Sequence, residues 1–237
     1  MIALKTQPQW GAICHYLRMG MRTVLLDVAG QLCDRDPGHP LRVGVDGVCG
    51  AGKSTFADRL AECIETLRRP VIRLDSDGFH HVRAIRYRQG SESARGYYED
   101  AYDFDSVRDL VLLPLGANGP HRFASRVHDL ATDEIVREWA IAPADAVVLF
   151  DATFLQRDDL RDHWDEVIYL DATMERAQAR GIERDAAALG GVERAVAVYD
   201  ARYMAACRIY VAEQSPKARA SIVIDNDDPS RPRLLRD

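Results

Sequence analysis

Lysine is scarce in this sequence: only Lys5, Lys53 and Lys217 are found among its 31 basic residues. Long apolar runs are also missing, since stretches such as residues 146–150 are far shorter than the roughly 18 residues that cross a bilayer. Charged side chains interrupt the early apolar segment, so no signal-peptide core is recognisable. We therefore expect no membrane partner and no export, and any chemistry that needs a lysine has few candidates.

Cysteine use and charge exclude further classes. The five cysteines are odd in number and scattered, without a CxxC pair, which argues against a disulfide framework or a zinc site and favours a reducing, cytoplasmic location. The formal net charge is −6, so a basic stripe for a nucleic acid polymer is not expected. The sequence leaves open whether the protein forms a homo-oligomer.

The apolar pattern predicts an α/β fold. The 237 residues, 47% of them hydrophobic, suit one large domain. A strand over 41–46, a helix over 53–69 and a strand over 71–75 form a βαβ unit, which implies a parallel sheet covered by helices on both faces. Further buried strands are predicted at 146–151, 166–170 and 221–225.

The remaining segments divide the chain into regions. We expect an N-terminal helical extension over 1–40 packed on the core, a nucleotide-binding domain over 41–227 and a surface tail over 228–237. Within the domain, residues 76–105 are polar and aromatic, which suits a substrate-facing region, and we expect the acceptor region to extend over about 76–141. Other helices are expected near 105–115, 173–185 and 192–214, and one or two short strands within 121–141.

A phosphate-binding loop is the strongest motif. Residues 47–54 fit G-x-x-x-x-G-K-[ST] between a predicted strand and a predicted helix, the context that confirms a P-loop. Backbone amides and the helix N-terminus would hold phosphate, Lys53 would reach the β and γ phosphates, and Ser54 would offer its hydroxyl to Mg²⁺. The predicted ATP-binding residues are Gly47, Gly50, Ala51, Gly52, Lys53, Ser54 and Thr55.

Other features narrow the P-loop classes. The chain lacks the N-K-x-D run by which GTPases read guanine, and motor ATPases usually need more chain. A small-molecule kinase is therefore favoured. The sequence resembles the uridine kinase family, in the group with phosphoribulokinase and bacterial pantothenate kinase, through VGVDGVCGAGKST, LDSDGFHHVR, VVLFDATFL and RGIERD.

This resemblance implies a P-loop kinase fold with a five-stranded parallel sheet, a small lid near 178–192, and transfer of the ATP γ-phosphate to a hydroxyl. Asp77 would be the general base, a role that its place after a parallel strand also suits, with a turn cap or a water-mediated Mg²⁺ contact as the alternative and Asp75 as the nearest competitor. Asp151 ends its strand where an acid would hold Mg²⁺ with Ser54. Ala152 and Thr153 stand where the family usually has glycine.

The resemblance also assigns the lid and the acceptor site. Arg180 and Arg184 would close over the transferring phosphoryl group, unless they only form salt bridges on a solvated helix face. Asp100 and Asp103 would bind ribose hydroxyls, although Asp103 could equally cap the following helix. Such a carboxylate pocket favours a hydroxyl-rich acceptor over an anionic one. The other predicted acceptor residues are His80, Arg88, Tyr97, Tyr98 and His128.

The sequence thus predicts an ATP- and Mg²⁺-dependent kinase that phosphorylates a hydroxyl of a nucleoside. A kinase of the same fold with another polyol acceptor, such as a sugar, a vitamin precursor or a specialised metabolite, is the first alternative. A nucleotide-binding regulatory protein that hydrolyses ATP slowly, without an acceptor, is the second.

Overall fold

A central sheet of six strands organises the protein. The computed structural model describes residues 10–237, with side chains from residue 22 onward. The strands are β1 Leu41–Gly47, β2 Val71–Asp75, β3 Arg122–Asp129, β4 Glu134–Ile141, β5 Val147–Asp151, β6 Glu166–Asp171, β7 Ile222–Asp225 and β8 Arg233–Arg236. The central sheet has the order β2-β5-β1-β6-β7-β8, and β3 and β4 form a separate antiparallel pair.

Helices cover the sheet and build the region beside it. They are α1 Trp10–Cys33, α2 Lys53–Thr66, α3 Arg83–Arg86, α4 Ala94–Asp100, α5 Phe104–Val107, α6 Leu113–Leu115, α7 Met174–Leu189, α8 Val192–Val198, α9 Met204–Gln214 and α10 Pro216–Arg219. Two π-helical turns, Arg108–Leu112 and Tyr199–Tyr203, join α5 to α6 and α8 to α9. The α/β fold with a mostly parallel sheet agrees with the prediction.

The strands that the sequence predicts are parallel to one another, because β2, β5, β1, β6 and β7 pair in parallel register. All five residues of β5 are buried, as expected for a strand covered by helices on both faces. The tail prediction was wrong in one respect. Residues 233–236 form β8, which pairs antiparallel with β7, and this edge strand satisfies backbone groups that a surface extension would leave to water.

The N-terminal helix packs on the core beside α2. From residue 22 onward α1 buries Leu25, Val28, Ala29 and Leu32, and it lies against α2. The predicted extension over 1–40 lies partly outside the described residues, because these begin at residue 10. Within residues 10–237, no helix is long and apolar enough to cross a membrane.

Candidate active site

The P-loop begins where β1 ends and α2 starts. Gly47 is the last residue of β1, and Gly50 and Gly52 have φ angles of 79° and 93°, a conformation that favours glycine. A Cβ at Gly50 would lie 2.0 Å from the carbonyl oxygen of Ala177 in α7, so the loop passes directly beneath that helix. The glycines therefore allow both the turn and the close approach of α7.

Lys53 is held over the loop by three hydrogen bonds. Its Nζ donates to the carbonyl oxygens of Gly47 at 3.1 Å and Val48 at 3.0 Å, and to the hydroxyl of Thr153 at 2.9 Å. Thr153 is one of the two residues that replace the family's glycine. The structure thus shows a consequence of this substitution that the sequence analysis missed: the hydroxyl of Thr153 accepts a hydrogen bond that positions the P-loop lysine.

A hydroxyl and a carboxylate meet beside the loop. The Oγ of Ser54 donates to Oδ2 of Asp151 at 2.6 Å, and Arg73 forms an ion pair with Oδ1 of the same carboxylate at 2.6 Å. The parallel register places Asp151 next to both Val45 and Asp75, at the carboxyl edge of the sheet.

These two oxygen donors fit Mg²⁺, which prefers oxygen ligands and is commonly held by one or two carboxylates together with substrate phosphates. Among the side chains that the structure describes, from residue 22 onward, no group of three or more acidic, histidine or cysteine residues forms a protein-only metal cage. The donor set therefore suits a metal that is completed by a nucleotide.

Asp77 lies in a short turn directly after β2. The carboxylate of Asp75 accepts a hydrogen bond from the backbone amide of Asp77 at 2.9 Å, so Asp75 caps the turn that carries it. Loss of water contact raises the pKa of Asp77, and the charges of Asp75 and Asp151 raise it further, while Arg184 opposes the shift. A carboxyl group with a raised pKa in a cleft is a candidate general base.

One crevice joins these groups. It has a volume of about 710 Å³ and is lined by Lys53, Ser54, Asp77 and Asp151, so the P-loop, the candidate metal ligands and the candidate base face the same space. Of the predicted acceptor residues, His80 and Tyr97 also line it. The crevice lining also includes arginines, tyrosines and two further polar residues: Arg86, Arg184, Arg202, Tyr87, Tyr102, Tyr199, Tyr203, Thr153 and Asp185.

His80 contributes a neutral imidazole to the crevice. Burial lowers its pKa to about 4, and the charge of Arg86 acts in the same direction. Its Nδ1 is buried without a hydrogen-bond partner, and its ring packs against Tyr102 with a centroid distance of 4.7 Å. The side chain can therefore exchange a hydrogen bond with an uncharged hydroxyl group.

The two carboxylates predicted to bind a diol do not line the crevice. Asp100 is 1% exposed and forms an ion pair with Arg88, and Gln89 donates to it at 2.8 Å. Asp103 caps α5, accepting from the amide of Ser106 at 3.0 Å. The capping role, an alternative in the sequence analysis, is what the structure contains, and these predicted contacts with ribose find no support in it.

Three further predicted acceptor residues also lie outside the crevice lining. Arg88 points its guanidinium to Asp100. Tyr98 is buried against Phe154 with a centroid distance of 5.1 Å. His128 is 1% exposed, with its Nε2 3.2 Å from Asp133. Each of the three has a polar contact within the protein, although Nδ1 of His128 is buried without a hydrogen-bond partner. Sequence spacing could not reveal these contacts.

The two predicted lid arginines lie on α7, and of the two only Arg184 lines the crevice. Arg184 lines the crevice and pairs with its neighbour Asp185 at 2.7 Å. Arg180 lines a second cavity of about 210 Å³, together with Thr55 and Asn226, and donates to the carbonyl oxygen of Asn226 at 3.0 Å. Burial lowers the pKa of Arg180 and leaves its Nε and Nη2 without partners. Arg184 is thus the one of the pair that lines the crevice with Asp77.

A buried network of hydrogen bonds around Asp46 stabilises the end of β1, where the P-loop begins. Asp46 is fully buried, and it accepts hydrogen bonds from Tyr210, from Gln156 at 3.0 Å and from the amide of Gly47 at 2.8 Å. Burial raises its pKa. Sequence analysis missed this aspartate, although an acidic residue in the otherwise apolar VGVDG strand was a visible signal.

Cys49, inside the P-loop, also lines the crevice. Its amide donates to Sγ of Cys207 at 3.3 Å, and its own Sγ lies 3.6 Å from the hydroxyl of Tyr97. The hydrogen bond with Cys207 and the charge of Lys53 lower the pKa of the Cys49 thiol to about 6. Cys33, Cys49, Cys63 and Cys207 are free thiols in the structure.

Comparisons with solved structures show proteins of similar fold. A structure described as a possible uridine kinase from Bacillus stearothermophilus aligns with a TM-score of 0.67 and 22% identity, over 85% of this chain and 97% of that one. A candidate fructose transport system kinase from Silicibacter sp. gives 0.67 and 23%, over 83% and 96%. D-glycerate 3-kinase from Cryptococcus neoformans var. grubii gives 0.52 and 14%, over 94% and 97%.

These likenesses show the fold and confirm the prediction of a P-loop kinase architecture. The search of curated proteins gave no match. The sequence profile of the phosphoribulokinase/uridine kinase family matches residues 42–227, which is most of the chain. This range contains Lys53, Asp77 and Asp151. This protein belongs to the phosphoribulokinase/uridine kinase family.

Proposed function

We propose that this protein is an ATP-dependent kinase that transfers the γ-phosphate to a hydroxyl group of a small molecule. One observation carries the proposal: Asp77, a carboxylate without a basic partner at ion-pair distance among the described residues, lines the same crevice as Lys53 and Asp151. A phosphate cradle alone would serve any nucleotide-binding protein. A base that faces the cradle is needed when a hydroxyl attacks.

Each residue has a distinct task in this reaction. Lys53 exchanges its carbonyl contacts for phosphate oxygens, and Arg184 supplies a second positive charge from α7. Ser54 and Asp151 would hold Mg²⁺, which would neutralise phosphate charge when bound. Asp77 accepts the proton of the attacking hydroxyl, for which its raised pKa makes it a better acceptor than an ordinary carboxylate.

The second cavity suits the nucleotide base. It shares Gly50, Gly52 and Thr55 with the P-loop side of the crevice and extends between α7 and the segment after β7. Its apolar lining includes Leu25, Phe56, Pro229 and Pro232. Arg180, with two unpartnered nitrogens, can donate there to the base or the ribose of ATP.

The acceptor is a small molecule with a hydroxyl group, and a nucleoside is one candidate. Tyr97 and His80 lie where such an acceptor would bind. Asp100 and Asp103 make other contacts within the protein, so neither carboxylate supports binding of a ribose diol. Other polyols fit the crevice equally well on these grounds. Membership of the family supports a kinase activity. The identity of the acceptor has to be inferred from the side chains that line the crevice.

Acceptor-dependent release of ADP tests the proposal. We would measure ADP formation from MgATP with nucleosides, sugars, glycerate and pantothenate, and identify the phosphorylated product by mass spectrometry. A kinase gives ADP in proportion to product, and Asp77→Asn should lower both by roughly 10² to 10⁴. ADP formation that no hydroxyl compound stimulates would favour the alternative of a slow regulatory ATPase.

A further inference from the structure

Arg202 is a buried cation without a carboxylate. Its side chain is 7% exposed and lines the crevice. One nitrogen, Nη1, donates to the backbone carbonyl of Ser91, while Nε is buried with no hydrogen-bond partner. No carboxylate within the described part of the chain lies at ion-pair distance from this guanidinium. It therefore carries charge into the crevice that the protein itself does not neutralise.

The other arginines at the crevice differ from Arg202 in this respect. Arg184 pairs with Asp185, and Arg86, which is equally buried, pairs with Asp133 at 2.8 Å. A guanidinium remains charged in proteins, so burial without a partner costs free energy that must be offset elsewhere. The rings of Tyr87, Tyr97 and Tyr203 lie within 5.8 Å of the Arg202 guanidinium carbon and offset part of that cost.

The backbone also points this residue at the site. Arg202 lies in the π-helical turn Tyr199–Tyr203, between α8 and α9. Such turns are uncommon and occur frequently at functional sites, because the extra residue redirects side chains. Here three residues of one turn, Tyr199, Arg202 and Tyr203, line the crevice.

The charged side chains of the crevice also leave the positive charge of Arg202 without a neutralising partner. Its carboxylates are Asp151 and Asp185, each paired with an arginine, and Asp77, the proposed base. The two acidic residues that would have repelled an anion, Asp100 and Asp103, are not part of the lining. The expectation of an uncharged, hydroxyl-rich acceptor therefore lacks its physical basis.

We propose that the acceptor carries an anionic group, a carboxylate or a phosphate monoester, and that Arg202 binds it. This inference rests on the proposed function, since it names the class of molecule that the kinase phosphorylates. The planar guanidinium offers paired N–H donors that match the oxygens of either group. Arg86 contributes a second guanidinium to the lining of the same crevice, and its Nε also has no hydrogen-bond partner.

Binding to the wild-type protein is the first test. The P-loop is first filled with a non-hydrolysable ATP analogue and Mg²⁺, so that added anions cannot occupy it. Calorimetry then compares three matched pairs: glycerol and glycerate, ribose and ribose 5-phosphate, and uridine and uridine 5′-monophosphate. We expect at least one anionic member to bind about tenfold to hundredfold more tightly than its neutral partner, the range of a charge-assisted hydrogen bond. If no anionic member binds more tightly, the proposal is overturned.

The pattern of preferred anions separates the two sources of charge. A preference for glycerate alone indicates a hydroxy acid, whereas a preference for ribose 5-phosphate or uridine 5′-monophosphate indicates a phosphorylated acceptor. Both results support the anionic site. Failure of the two proposals can be distinguished by product analysis of the same pairs with MgATP. Efficient phosphorylation of the neutral members alone would overturn the proposed anionic site and leave the proposed kinase activity standing. Tight binding of an anion without phosphoryl transfer would contradict the kinase activity and leave the anion-binding site standing.

A variant assigns the preference to Arg202. Arg202→Gln should weaken binding of the preferred anion about tenfold to hundredfold, with affinity for the ATP analogue within a few fold of wild type. Arg208, an exposed arginine on α9, gives the control Arg208→Gln, which removes the same charge outside the crevice. Arg202→Lys keeps the charge and should restore part of the affinity if the glutamine variant proves unstable. Equal effects of Arg202→Gln and Arg208→Gln would assign the preference to net charge and overturn the role of Arg202.

Discussion

The ammonium of Lys53 donates to the hydroxyl of Thr153 at 2.9 Å, across the crevice edge between the P-loop and the segment after β5. This contact couples the P-loop lysine to the end of the strand that carries Asp151. It holds Lys53 near the position from which it would reach phosphate. Two substitutions separate the charge from its positioning.

Lys53→Ala should abolish phosphoryl transfer in a folded protein. Lys217 is the only other lysine among the described residues, and it pairs with Asp171 and does not line the crevice, so it cannot replace Lys53. Loss of a positioned charge at the developing phosphoryl group removes several kcal/mol of transition-state stabilisation. Steady-state kinetics would measure the loss, and near-normal turnover would contradict the assignment of the P-loop.

Thr153→Val should reduce turnover far less, by about tenfold, because it removes one hydrogen bond from the ammonium and preserves side-chain shape. Since Lys53 keeps its charge and its two carbonyl partners, ATP affinity should change only a few fold. Thr153→Ser retains the hydroxyl and serves as the matched control. An effect of Thr153→Ser as large as that of Thr153→Val would point to packing instead of the hydrogen bond.

Asp77→Asn should separate binding from chemistry. We expect ATP affinity within a few fold of wild type and turnover lowered by roughly 10² to 10⁴, the usual range for loss of a general base. Equilibrium binding of an ATP analogue and single-turnover rates provide the two readouts. A collapse of ATP affinity would instead assign Asp77 to the metal site.

The acid limb of the pH profile should respond to Asp75. Asp77 must be deprotonated to act as a base, so activity falls as the pH drops through its raised pKa. Asp75→Asn removes one charge that raises this pKa while keeping an oxygen to accept from the amide of Asp77. The acid limb of kcat/KM should therefore move to lower pH. Asp162→Asn, an exposed substitution away from the crevice, should leave the limb in place, and an unmoved limb in Asp75→Asn would contradict the base assignment.

Cys49 should react as a thiolate near neutral pH. Since its pKa is lowered to about 6, its alkylation rate by iodoacetamide should level off above pH 7, whereas Cys33 and Cys63, whose pKa values are raised by burial, should react faster as the pH rises further. Peptide mass spectrometry would follow each site. MgATP should protect Cys49 because the residue lines the crevice. A half-maximal rate near pH 9 for Cys49 would contradict the shift.

Gly181 should tolerate no side chain. A Cβ there would lie 2.3 Å from the ring and hydroxyl of Tyr199, whose side chain is buried and donates to Asp185. Gly181→Ala should lower the free energy of unfolding by about 1–3 kcal/mol through overpacking. Gly30→Ala is the control, because Gly30 is also helical but has nothing within 4 Å of the added methyl group, so helix propensity should raise stability by roughly 0.5–1 kcal/mol. Thermal denaturation would show shifts of opposite sign, and equal shifts would refute the packing argument.

The sequence alone determined the features that depend on neighbours along the chain. Residues 47–54 form a phosphate cradle because glycine conformations, a strand end and a helix start are local properties. The buried strands were visible as short apolar runs, and the acids that end two of them, Asp75 and Asp151, meet because the carboxyl ends of parallel strands share one edge. The fold and the meeting of these residues at one edge of the sheet could therefore be predicted.

The tertiary structure alone decided which polar side chains face the acceptor. Asp100 and Asp103 carry the right chemistry, but an ion pair with Arg88 and a helix cap engage them elsewhere. Arg202 gave no signal in the sequence, yet a π-helical turn brings it to the crevice without a carboxylate. Whether a charge is neutralised or left for a ligand depends on contacts between residues far apart in the chain, and spacing along the sequence does not encode them.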